Sequence, residues 1–218
     1  MSQPTQETIQ DLLVRNIPRG LVMALEEAML VGAQRAYAAA RGMDDGHLPS
    51  VVGHLRHFHM NESFHRTLTV GGASPSPLRG NKIVTGRAGI FTLARFNTKY
   101  GTWNSARRSE TRKQMSLANA AIEPLVQPGL FSEYVPPSDG VVFIVAGFAG
   151  SLHTQPETPI SLDLAVPDRN MYGWLFREPI TAFLKRYDQK STTTQDDLAK
   201  PKLKKNIGKQ QDKDGTGS

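Results

Sequence analysis

The sequence predicts an α+β fold: a helical N-terminal half, a small antiparallel sheet, a closing C-terminal helix and a disordered tail. Three observations lead there. Apolar residues recur at helical spacing through residues 1–69, two apolar stretches of strand character follow at 140–150 and 160–168, and the last 30 residues are almost without apolar side chains. The corresponding division is a helical region (1–69), a linker or loop (70–81), an α+β region with a basic segment (82–188) and a basic tail (189–218).

Residues 7–16 give a short amphipathic helix through Ile9, Leu12 and Leu13. Pro18 then suits the first turn of a longer helix, where its missing N–H has no partner to lose. That helix, 19–41, carries Leu21, Leu25, Met29, Gly32 and Ala36 along one stripe, and its many alanines let a second helix approach closely. "GMDDG" (42–46) stops it. A second long helix covers 49–68, beginning at Pro49 and Ser50, and "VGGASPSPLRGN" (70–81) breaks the pattern.

From Lys82 two readings stand. "KIVT" and "IFTLARF" around "GRAG" form a hairpin, or Ile90 to Tyr100 is helical with Gly101 as its left-handed stop. Residues 105–122 read as a helix capped by Asn104 or Ser105, with Met115, Leu117, Ala118, Ala121 and Ile122 on one face. "GVVFIVAGFAG" (140–150) is uniformly apolar, the pattern of a strand covered on both faces. "ISLDLAVPD" alternates like a half-buried strand and pairs with it antiparallel. Residues 169–187 are expected as the final helix, kinked at Pro179. The tail, with seven lysines against four aspartates, two leucines and one isoleucine, cannot offset its ordering entropy and is expected to be disordered.

Composition narrows the chemistry. The chain has 218 residues and no cysteine, which excludes disulfides, thiol nucleophiles and thiolate zinc sites. The N-terminus lacks the pattern of a signal peptide, and the longest apolar run is too short to span a bilayer, so an intracellular, cytoplasmic protein without membrane attachment is expected. Net charge is +6 and unevenly spread. Between residues 79 and 113 nine cations face only Glu110, a local +8 that leaves the remainder at −2.

Such a patch suits a polyanion. Within it the expected nucleic-acid contacts are Arg95, Lys99, Trp103, Ser105, Arg107, Arg108, Arg112 and Lys113. Arginine donates two parallel hydrogen bonds to phosphate, serine hydroxyls contact the backbone, and tryptophan stacks on bases. If 90–100 is helical, the segment outlines a helix-turn-helix that reads duplex DNA. If it is a hairpin, Phe91, Phe96, Tyr100 and Trp103 interleave with Arg95 and Lys99 to suit single-stranded DNA or RNA. The opposing expectation is a solvated charged helix face.

Five of six histidines lie between 47 and 65. On a helix His54, His57 and His65 fall within about 80° of one another, which suits a metal ion or acid–base chemistry. This supports a runner-up, a metal-dependent hydrolase using residues 54–65. A third reading is a subunit that assembles with copies of itself through the slim alanine-rich helix and the apolar strand. No nucleophile elbow, phosphate loop or H-E-x-x-H motif is present, so a binding role without cofactor or resident metal is expected over an enzymatic one.

Overall fold

The computed structural model describes residues 8–102, 106–126 and 135–194. Helix α1 (Ile9–Asn16) opens on a capping box. The Thr8 hydroxyl accepts from the Asp11 backbone at 3.2 Å, while the Asp11 carboxylate accepts from the Thr8 backbone N–H at 3.4 Å and from its hydroxyl at 2.7 Å. Pro18 precedes α2 (Arg19–Ala40), and α3 (Leu48–Val70) carries Pro49 in its first turn. These three helices follow the expected spans closely, because each is bounded by Pro or Gly and driven by one apolar stripe.

The alanine-rich stripe of α2 does what its small side chains imply. Gly32 sits against Met60, and a Cβ built on it would stand 2.8 Å from the Met60 Cα. Gly32→Ala is therefore expected to destabilise by about 1–3 kcal/mol, although alanine favours a helix over glycine by up to ~1 kcal/mol. A thermal melt tests this, and a raised midpoint would show that α2 and α3 separate without cost.

Five strands follow: β1 (Thr85–Ala88), β2 (Phe91–Lys99), β3 (Gly140–Phe148), β4 (Ser161–Pro167) and β5 (Trp174–Pro179). They form one sheet in sequence order, antiparallel except for the parallel pair β2–β3. The hairpin reading of 82–100 holds, with Gly89 at φ +54° in the two-residue turn. The helical alternative does not, and with it goes the helix-turn-helix outline. Phe91, Leu93 and Arg95 alternate with Ala94 and Phe96 to serve two covered faces, a period-2 pattern that no helix can use.

The parallel pair needs a long crossover, which 100–139 supplies. Its described part is broken where a single helix was expected. Three residues of 3-10 turn (Ala106–Arg108) lead into α4 (Glu110–Ser116), and two further 3-10 turns reach Leu125. The cap is Ser109, whose hydroxyl accepts from the Arg112 backbone at 3.4 Å. The apolar face is also narrower than expected, for Met115, Ala118 and Ile122 pack inward while Leu117 is half exposed.

One core lies between the sheet and helices α1, α2, α3 and α5 (Ile180–Thr194); a smaller one lies under α4 on the opposite face. Every residue of β3 is buried, as its uniform apolar run requires. The expected helix over 169–187 is instead a turn, strand β5 and helix α5. The Asp168 carboxylate accepts from the Asn170, Tyr172 and Gly173 backbones and shapes that turn. Pro179 ends the strand rather than kinking a helix. The remainder of the expected tail, 195–218, lies outside the described residues.

Candidate functional site

The cations of the basic segment divide sharply. Arg79, Lys82, Arg87, Lys99, Arg108 and Lys113 are exposed, Arg107 and Arg112 half-buried, and Arg95 buried at 4% exposure. Trp103 and Ser105 lie outside the described residues. Arg107 stacks on the exposed Tyr172 ring at 4.4 Å, and Arg112 on Phe96 at 4.7 Å. Burial lowers the proton affinity of Arg112. Arg87 stands 3.6 Å from Asp139 and Lys113 3.7 Å from Glu110. Pairs this exposed are weak and leave the cation available to a stronger anion. The side chain of Lys99 runs along Gly150 at the end of β2.

Arg108 and Arg112 do not lie on one helix, because Arg108 precedes the cap of α4 in a 3-10 turn. The expected aromatic track along 91–103 does not form. Phe91 and Phe96 are buried, leaving Tyr100 as the exposed ring among its described members.

Arg95 is a structural cross-link between β2 and α3. Its Nε donates to Asn61 Oδ1 at 2.9 Å, one terminal nitrogen to Asn97 Oδ1 at 2.9 Å and the other to the His57 carbonyl at 2.8 Å. Burial pushes its pKa down to about 9, so the group remains charged at neutral pH. No carboxylate pairs with it among the described residues, and its neutralisation is left to dipoles.

That cross-link fixes the state of a histidine. A guanidinium only donates, so the Asn61 oxygen faces Arg95 and the Asn61 nitrogen faces His57 Nε2, 3.1 Å away. Nε2 must then accept, which puts the single proton of the His57 ring on Nδ1. A second proton on Nε2 would oppose the Asn61 amide. Burial, then the charges of Arg95 and His54, hold the pKa of His57 below its usual value. One turn earlier, His54 Nδ1 lies 2.8 Å from the Ser50 carbonyl. A carbonyl only accepts, so His54 carries a proton on Nδ1, and in the neutral ring the lone pair is on Nε2.

His54 and His57 line a cleft of about 440 Å³ at the start of α3, together with Pro49, Phe58 and Asn81. Phe58, 40% exposed, also lines a second cleft of about 180 Å³ whose other walls include Leu78, Arg79 and Lys82. One aromatic ring thus stands between two histidines and two cations. The two clusters that look unrelated in sequence meet across Phe58 above the buried Arg95.

His65, two turns farther on, does not line this cleft. Among the described residues no three His, Asp or Glu side chains gather where a metal ion could sit. Phe58 and Asn81 were not among the expected site residues. The available signal was Phe58 itself, a large apolar residue flanked by His57 and His59 and off the stripe of Val52, Met60 and Phe64.

The chain matches no family model, no curated protein and no solved structure.

Proposed function

We propose that the protein binds nucleic acid through the surface cations of residues 79–113, in a regulatory or structural role rather than a catalytic one. The observation that carries this reading is the retention of charge at the surface. Of nine cations in the segment, eight are exposed or half-exposed and one, Arg95, is used internally. Arg79, Lys82, Lys99, Arg107, Arg108 and Lys113 are the groups that contact phosphate. Single strands are the favoured form, since residues 91–99 are a strand and offer no helix pair for a major groove.

Phosphate contacts release counterions, so affinity falls linearly on logarithmic axes as salt rises. For single strands each lost contact reduces that slope by about 0.7. Arg79→Ala, Lys82→Ala and Arg108→Ala combined should reduce the slope by about 2 and weaken binding at low salt. The measurement is titration of labelled single- and double-stranded DNA and RNA at several salt concentrations. Failure of the native chain to bind any of them at low salt would overturn the reading.

A further inference from the structure

We propose that the cleft at the start of α3 receives one unpaired nucleotide unit. Its base lies against the Phe58 ring with its hydrogen-bonding edge at His54 and His57, and its phosphate lies at Arg79 and Lys82. This deepens the reading above and rests on it where the nucleotide belongs to a strand. A free nucleotide presents the same chemistry.

Four observations converge. The cleft's volume, about 440 Å³, falls within the range of roughly 300–1,000 Å³ common to small-molecule sites. Phe58 keeps 40% of its surface exposed on a helix whose other large apolar residues are mostly buried. An aromatic left in water beside cations is the usual platform for base stacking. Arg79 and Lys82 line the neighbouring cleft, which shares Phe58 with the first, so positive charge accompanies the ring on which the base would stack.

The fourth observation is the proton arrangement at the two rings. Asn61 and Arg95 compel His57 to carry its proton on Nδ1, and the Ser50 carbonyl places the proton of the neutral His54 ring on Nδ1, which leaves Nε2 as its acceptor. The pair therefore presents one donor and one acceptor, three residues apart on one helix face. Every standard base carries a donor beside an acceptor on the edge used for pairing, so the arrangement suits an unpaired base of any kind. Free bases recognised in this way are unpaired by necessity, since pairing would occupy the same edge.

The test uses the full chain and three probes: a labelled single-stranded oligonucleotide, an abasic strand of the same length and charge, and adenosine monophosphate. Removing the bases, or making Phe58→Ala, should weaken strand binding between about fivefold and a hundredfold, and Phe58→Tyr should retain it. Adenosine monophosphate should shift the imidazole resonances of His54 and His57.

Equal affinity for the normal and abasic strands, with Phe58→Ala unaffected, would overturn the cleft assignment and leave the phosphate-binding reading standing. Strand binding absent at low salt, with the imidazole shifts present, would keep the cleft as a site for free nucleotides and sink the nucleic-acid reading. Absence of both sinks both. Because the abasic strand and the mononucleotide probe the native chain, the result does not depend on any variant's folding.

Discussion

Arg95→Ala is expected to cost about 3–5 kcal/mol of stability, the range for breaking a buried polar network. The guanidinium is 4% exposed and satisfies Asn61, Asn97 and the His57 carbonyl at 2.8 to 2.9 Å. Its removal takes a donor from Asn61 Oδ1, which is buried, and from Asn97 Oδ1 and the His57 carbonyl, which are partly buried, and leaves a void between β2 and α3. The three losses share one site, so they do not add fully. Arg112→Ala provides the contrast, because it forfeits a stacked cation on Phe96, worth about 0.5–2 kcal/mol. Denaturant unfolding of both variants decides the matter. A loss below about 1 kcal/mol for Arg95→Ala would mean that the cross-link does not hold the two elements together.

The same substitution carries a pH signature. His57 is held below its ordinary value of 6.5 by burial and by the charges of Arg95 and His54. Between that lowered value and 6.5 the unfolded chain binds the proton and the folded one does not. Stability therefore rises with pH through this window and falls as pH drops from 6.5. In Arg95→Ala the pKa of His57 should move up and the acid-side loss should shrink. Histidine resonances followed through a pH titration report the first, and unfolding at several pH values the second.

Asn119→Ala is expected to cost about 2–4 kcal/mol through orphaned backbone groups. Antiparallel pairing of β3 with β4 joins Phe143 to Ala165, and the same register carried onward sets Val141 opposite Pro167. Proline has no N–H to give there. Asn119 is fully buried and completes the ladder from the side: its amide nitrogen donates to the Val141 carbonyl at 3.2 Å and the Pro167 carbonyl at 2.8 Å, while its oxygen accepts from the Val141 backbone at 2.6 Å. Asn119→Asp, which keeps an acceptor but loses both donors, should fare no better at neutral pH. If alanine at this position unfolds at the denaturant midpoint of the native chain, the bridge is not structural.

How far the sequence determines this protein follows from the range of each signal. The spans of α2, α3 and β3 were legible because each is bounded by Gly or Pro and driven by its own apolar pattern. Surface charge on 79–113 was legible too, since nine cations against one acid cannot all be buried. Where a local pattern admits two periods, partners in space made the choice. Residues 91–99 became a strand because β1 and β3 lie on either side and both faces are covered. Residues 169–187 divided because Asp168 gathers three N–H groups into a turn and β4 supplies a ladder for 174–179. Arg95 is the clearest case. Composition counts it with the surface cations, yet strand alternation turns it toward Asn61 and His57, 34 and 38 residues earlier in the chain. Hydrogen bonds between distant segments leave no local pattern to read: helical spacing already sets His54, His57 and Phe58 together on α3, but Asn81 at the cleft and the Arg95 link to Asn61 were decided by tertiary structure.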